Sequence, residues 1–138
     1  MTSPIDAYHE LSAWTLTLGD ETFIHQHVVD AFAAQNADDA SKPIGITFAL
    51  AGLYLHLEHG FSGKQVQRAH MEMARSKRPW PRWPLPADRG AMTAVDVLAA
   101  TAGPARERAI DAWCESVWAA FHEHQTGIRI LLQQYGIV

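Results

Sequence analysis

The chain has a single cysteine, Cys114, so no internal disulfide can form and a disulfide-stapled secreted domain is excluded. Residues 1–41 contain no Lys or Arg. With no basic stretch leading into a long apolar core at the N-terminus, neither a signal peptide nor a transit peptide is expected, and the cytoplasm is the expected location. No apolar run is long enough to span a bilayer. The longest, Ile44 to Leu57, is about 14 residues and reads as a buried helix, so no membrane partner is expected. Strand-like alternation bounded by hairpin turns is absent, as are internal repeats and low-complexity segments. Charged residues make up only 19% of the chain and the net charge is -4, which argues against general nucleic-acid affinity.

What is present fits one globular domain. The 138 residues, 48% of them hydrophobic, suffice for a core without disulfides or a structural metal. Charge is unevenly placed. Residues 1–41 carry Asp6, Glu10, Asp20, Glu21, Asp30, Asp38 and Asp39, whereas residues 42–82 carry Lys42, Lys64, Arg68, Arg75, Lys77, Arg78 and Arg82 against Glu58 and Glu72. Two such blocks can match within one molecule or across a two-fold axis. Ile130, Leu131 and Leu132 exceed what one helix face buries, and a homodimer is the expected assembly.

Start and stop signals predict an all-α, single-domain bundle of about five helices, four of them long. Ser3 and Pro4 open the first, which runs to Leu18 before Gly19. Asp20 caps a second, to about Asn36, followed by a polar linker from Ala37 to Lys42. Pro43 opens and Gly60 closes a third, which is apolar nearly all round and is expected at the centre. Its small stripe, Gly45, Ala49, Gly52 and His56, would let a neighbouring helix approach closely. Ser62 and Gln65 form a capping-box pair for a fourth helix to about Ser76. Lys77 to Asp88 is too rich in Pro for a helix and is expected as an extended strap, with Trp80 or Trp83 mostly buried. Thr93 and Asp96 cap a short helix, and Gly103-Pro104 opens a last one reaching Tyr135.

The eight histidines are the outlier in composition. On the second helix Ile24, Val28 and Phe32 define the expected buried face. His25 falls on or beside it, and His27 and Asp30 fall away from it. His70 and His124 continue the apolar stripes of their helices, and His9 lies at the edge of one. His25, His70 and His124, with His56, are therefore the candidates to meet inside the bundle. Converging imidazoles can bind zinc or another divalent transition metal through neutral nitrogen, and three protein ligands with an open position would make a Lewis-acid site. The candidate ligands are His25, His70, His124, His56 and His9, with Glu10, Asp30 or Glu58 to orient a ring. The simpler reading gives each imidazole a hydrogen bond to backbone, Gln35 or water and nothing more. No known metal motif is present: His-Glu-x-x-His is absent, and His56-Leu57-Glu58 lacks the Pro-Cys-x-x-Cys half of a zinc deaminase. Gly60 to Lys64 has the wrong spacing for a phosphate loop. Cys114 faces inward and reads as an inert buried thiol.

Tyr8-His9-Glu10-Leu11, the stretch from Ile24-His25-Gln26-His27 through Asp30 to Gln35, Val66 to His70, Ala94 to Leu98, and Ala112-Trp113 through Val117-Trp118 resemble a family of small helical bacterial proteins of unknown function. The resemblance covers nearly the whole chain and implies no established activity. It directs attention to His9, His25, Asp30 and Gln35 without giving them roles. Relatives with a Cys-x-x-Cys segment ahead of the Tyr-His pair would hold zinc there. This chain has no Cys before Cys114, so any metal would need His and carboxylate ligands alone.

The sequence assigns no catalytic residue. Its first functional reading is a binding or interaction protein. The alternative is a histidine-based metal-dependent enzyme or a small-ligand-binding protein.

Overall fold

The computed structural model describes residues 2–138. Seven α-helices and one 3-10 turn follow in order: α1 (Pro4–Thr17), α2 (His25–Gln35), α3 (Pro43–His59), α4 (Gly63–Ala74), α5 (Ala94–Ala99), α6 (Pro104–Ala120), the turn His122–His124, and α7 (Gln125–Gln134). No strand occurs among the described residues. No helix among them is long and apolar enough to cross a membrane.

The local signals act as expected. Ser3 Oγ accepts the Asp6 N–H at the head of α1, and capping boxes form at Ser62/Gln65 and Thr93/Asp96. Gly60, in left-handed conformation at φ 68°, ends α3. Helix α3 is central: Ile46, Thr47 and the run Ala49 to Leu55 are buried, and α2, α4, α6 and α7 all pack on it. One continuous core results, with Trp113, Phe121, Leu11, Leu50, Leu53 and Ile110 fully enclosed.

Two boundaries differ from expectation. Helix α2 begins at His25 rather than after Asp20. The Asp20 carboxylate accepts from Thr22 Oγ1 (2.7 Å) and the Ile24 N–H (3.0 Å), so it closes a turn ahead of the helix. In that turn Phe23 takes φ 54°, and its carbonyl lies so close to Gly63 that any side chain there would strike it. The last helix is two helices, and with the short α5 counted the described residues form seven where about five were expected. The chain leaves helical geometry at Phe121 (φ -95°, ψ 23°), whose side chain fills the core. The 3-10 turn then redirects α7 onto α3.

The strap is extended, as its prolines dictate. Trp80 and Trp83 pack against the core with only a minor part of their surface exposed, as expected. Trp83 Nε1 donates to Thr47 Oγ1 at 2.9 Å, and Trp80 lies edge-on to Phe48 with centroids 5.4 Å apart. His124 Nε2 donates to the Pro84 carbonyl. At the far end Gln35 Nε2 donates to the carbonyls of Arg89 (3.2 Å) and Met92 (2.7 Å), while Gln35 Oε1 accepts from Trp113 Nε1 at 2.9 Å. The Arg89 guanidinium donates to the carbonyls of Ala34, Gln35, Ala37 and Pro86. A cation on the last carbonyls of α2 complements its dipole, so one residue caps the helix and fastens the strap.

Candidate functional site

The expected meeting of His25, His70 and His124 does not occur, because each ring is held by a different part of the bundle. His25 Nδ1 lies 2.9 Å from Thr15 Oγ1 at the end of α1, and since Thr15 gives its own proton to the Ser12 carbonyl, the imidazole donates. His70 Nε2 donates to the Phe48 carbonyl on α3 at 2.7 Å. His124 is engaged by the strap. His9 is exposed and lies beside the Tyr8 ring. Helical phase says which way a side chain leaves its own helix; it does not say at what height it meets a neighbour. Among the described residues no group of three or more His, Cys, Asp or Glu side chains is placed to share a metal ion. The carboxylate that orients a ring is Asp111, not Glu10, Asp30 or Glu58. Glu58 instead accepts from Trp118 Nε1 at 3.2 Å.

The polar groups that do come together lie in the seam where α2 and α3 meet α6. His27 and His56 stack with centroids 3.5 Å apart and planes 18° from parallel. His56 Nδ1 faces the Phe61 carbonyl at 3.0 Å and Nε2 faces Asp111 Oδ1 at 2.9 Å. Two acceptors suit the doubly protonated ring. Burial opposes that charge, but the hydrogen bonds to Asp111 and Phe61 and the negative charges of Asp111 and Glu115 outweigh it, so the His56 pKa is raised. His27 is 4% exposed. Its burial, reinforced by the neighbouring His56 charge, lowers its pKa to about 3 against the pull of Asp111 and Asp20. A ring whose charged form is disfavoured thus lies face to face with one whose charged form is favoured. The hydrogen bond from His56 lowers the Asp111 pKa in turn, against its partial burial.

His27 and Asp30 were expected to point away from the buried face, and both are buried. Helix α2 packs against α1, α3, α4 and α6, so more than one of its faces is enclosed. The Asp30 carboxyl accepts from Gln26 Nε2 on Oδ1 (3.1 Å), while Oδ2 has no hydrogen-bond partner. Burial drives its pKa well above the ordinary carboxylate value despite the Gln26 bond, so the neutral acid is favoured. A side chain at position 52 would collide with this carboxyl, which is why the small stripe on α3 has glycine there. Gly52→Ala should therefore lose about 1–3 kcal/mol of stability by overpacking. Adding Asp30→Ala should restore part of it, because the new methyl then enters vacated space. A double-mutant cycle in urea checks this, and strictly additive losses would refute the collision. Cys114 is fully buried beneath the same seam, and burial raises its thiol pKa far out of the reactive range.

A second feature lies at the other end of α2. The linker after α2 and the strap face each other across an open cleft of about 500 Å³, lined by Gln35, Ala37, Asp38, Asp39, Leu85, Pro86, Ala87 and Arg89. A smaller recess of about 140 Å³ shares Asp38, Asp39 and Leu85 with it and adds Ser41, Pro43, Ile46, Arg82, Trp83 and Pro84. None of the eight histidines lines either space. No local pattern signals this cleft, since its walls are two loops brought together by the long-range bonds of Gln35 and Arg89.

The architecture is thus an all-α bundle with one extended strap. A family described as "Family of unknown function (DUF5946)" matches residues 5–122, and the chain belongs to that family. No curated protein and no solved structure matches the chain.

Proposed function

We propose that this chain is a small-ligand-binding protein and that its ligand enters the cleft between the α2–α3 linker and the strap. One observation carries this reading. The strap is fastened by Gln35, Arg89, Trp83 and His124, yet it stands off the linker and leaves a cleft within the volume range of ligand pockets. Walls fixed by hydrogen bonds need little ordering on binding. The histidine seam supports the reading less well: both nitrogens of His56 already have acceptors, and His27 is a weak base. Amide chemical-shift mapping during a fragment screen tests the assignment. Shifts should concentrate at Asp38, Asp39, Leu85 and Ala87. Shifts confined to His27, His56 and Asp111, or no saturable shifts, would overturn it.

A further inference from the structure

The charges around the recess differ in how far the fold already uses them. Arg89 is occupied by four carbonyls. Asp38 Oδ1 accepts from the Ala40 N–H at 2.8 Å and stabilises its own turn. Asp39 and Arg82 have no hydrogen-bond or ion-pair partner among the described residues, although both line the 140 Å³ recess. They do not pair with each other, and the strap and linker that carry them are held apart. Ile46, Pro43, Leu85 and the Trp83 ring share the lining with them. Two free opposite charges lining one recess, with aliphatic and aromatic side chains beside them, match a ligand that carries both charges and an apolar body. A lone cation or lone anion would leave one of them unmatched.

Resting on the cleft assignment above, we propose that the ligand is a free α-amino acid with an apolar side chain. Its ammonium faces Asp39, with Asp38 beside it. Its carboxylate faces the Arg82 guanidinium, which can take it through two parallel hydrogen bonds. Its side chain lies against Leu85 and Trp83. The recess accommodates one such residue, and the adjoining cleft leaves room for a longer molecule to extend from it. Both charged partners are exposed, so binding is weak and falls with added salt.

The test is titration by calorimetry and amide shifts with L-leucine and L-phenylalanine, against isoamylamine and 4-methylpentanoic acid, which each retain one of leucine's charges. The amino acids should saturate, and each single-charge analogue should bind about tenfold more weakly. Arg82→Gln and Asp39→Asn should each weaken leucine binding by a similar factor, with melting temperatures unchanged because neither side chain supports the fold. If isoamylamine binds as well as leucine and Arg82→Gln has no effect, the zwitterion is refuted while the cleft stands as a cation site. If the acid binds as well and Asp39→Asn has no effect, the zwitterion is refuted in favour of an anion. If no probe saturates, the amino-acid assignment is overturned, and the fragment screen decides separately whether the cleft binds anything.

Discussion

Trp113→Ala should remove about 3–5 kcal/mol of stability, the usual cost of truncating a fully buried large aromatic. A domain of this size is stable by only about 5–15 kcal/mol, so the variant should be close to unfolding at physiological temperature. Two losses combine. One is the cavity in the core on α6. The other is the hydrogen bond from Nε1 to Gln35 Oε1, which fixes the amide so that its Nε2 can hold the strap through Arg89 and Met92. Trp113→Phe separates them. It keeps most of the ring volume but leaves the Gln35 oxygen without its donor, at a cost of about 1–3 kcal/mol. The strap should loosen in that variant, and Trp83 should become more accessible to a quencher while the helical dichroism stays unchanged. Equilibrium urea unfolding measures the first effect. A Trp113→Ala midpoint equal to that of the parent protein would refute this account of the core.

How much of this was readable in advance depends on the range of each interaction. The caps at Ser3, Ser62 and Thr93 and the stop at Gly60 act within a few residues, and all were legible. The central place of α3 was legible too, because a helix apolar on every side has to be enclosed. The break at Phe121 was not. Nothing local forbids a continuous helix from Pro104 to Tyr135, yet the chain turns at Phe121 with its ring in the core. His27 and Asp30 were misplaced for a related reason. Taking Ile24, Val28 and Phe32 as the single buried face assumes a helix with one solvent side, and α2 is surrounded by four others. The stacked pair joins His27 to a residue on α3, and its orienting carboxylate comes from α6. No spacing along the chain encodes that meeting. The cleft is the extreme case, since Gln35 and Arg89 act across more than fifty positions.

The seam makes stability depend on pH in a way that can be assigned to single residues. His27 titrates at about 3 in the fold against 6.5 for the free side chain. As the pH falls from 6.5, the unfolded chain takes up a proton that the folded chain refuses. Stability should drop by about 1.4 kcal/mol per pH unit from this residue alone, or about 2 kcal/mol between pH 6.5 and 5. His25 and His70, whose burial also lowers their pKa values, add to the same slope. His56 has the opposite sign. Its folded pKa is raised, so its contribution is fully present below 6.5 and is lost as the pH climbs through the folded value. Asp30 has the sign of His56: its raised pKa gives a contribution present below 3.8 and lost as the pH rises through the folded value. His27 therefore contributes a loss of stability on the acid side, which Asp30 opposes, and comparison with a His27 variant isolates it. His27→Phe keeps an aromatic face against the His56 ring while removing the titrating group. Urea midpoints for the parent and this variant at pH 7, 6 and 5 give the comparison. The variant should hold its stability about 2 kcal/mol better than the parent over the range from 6.5 to 5. Parallel curves would show that His27 is not the neutral, buried ring on which the electrostatics of the seam rest.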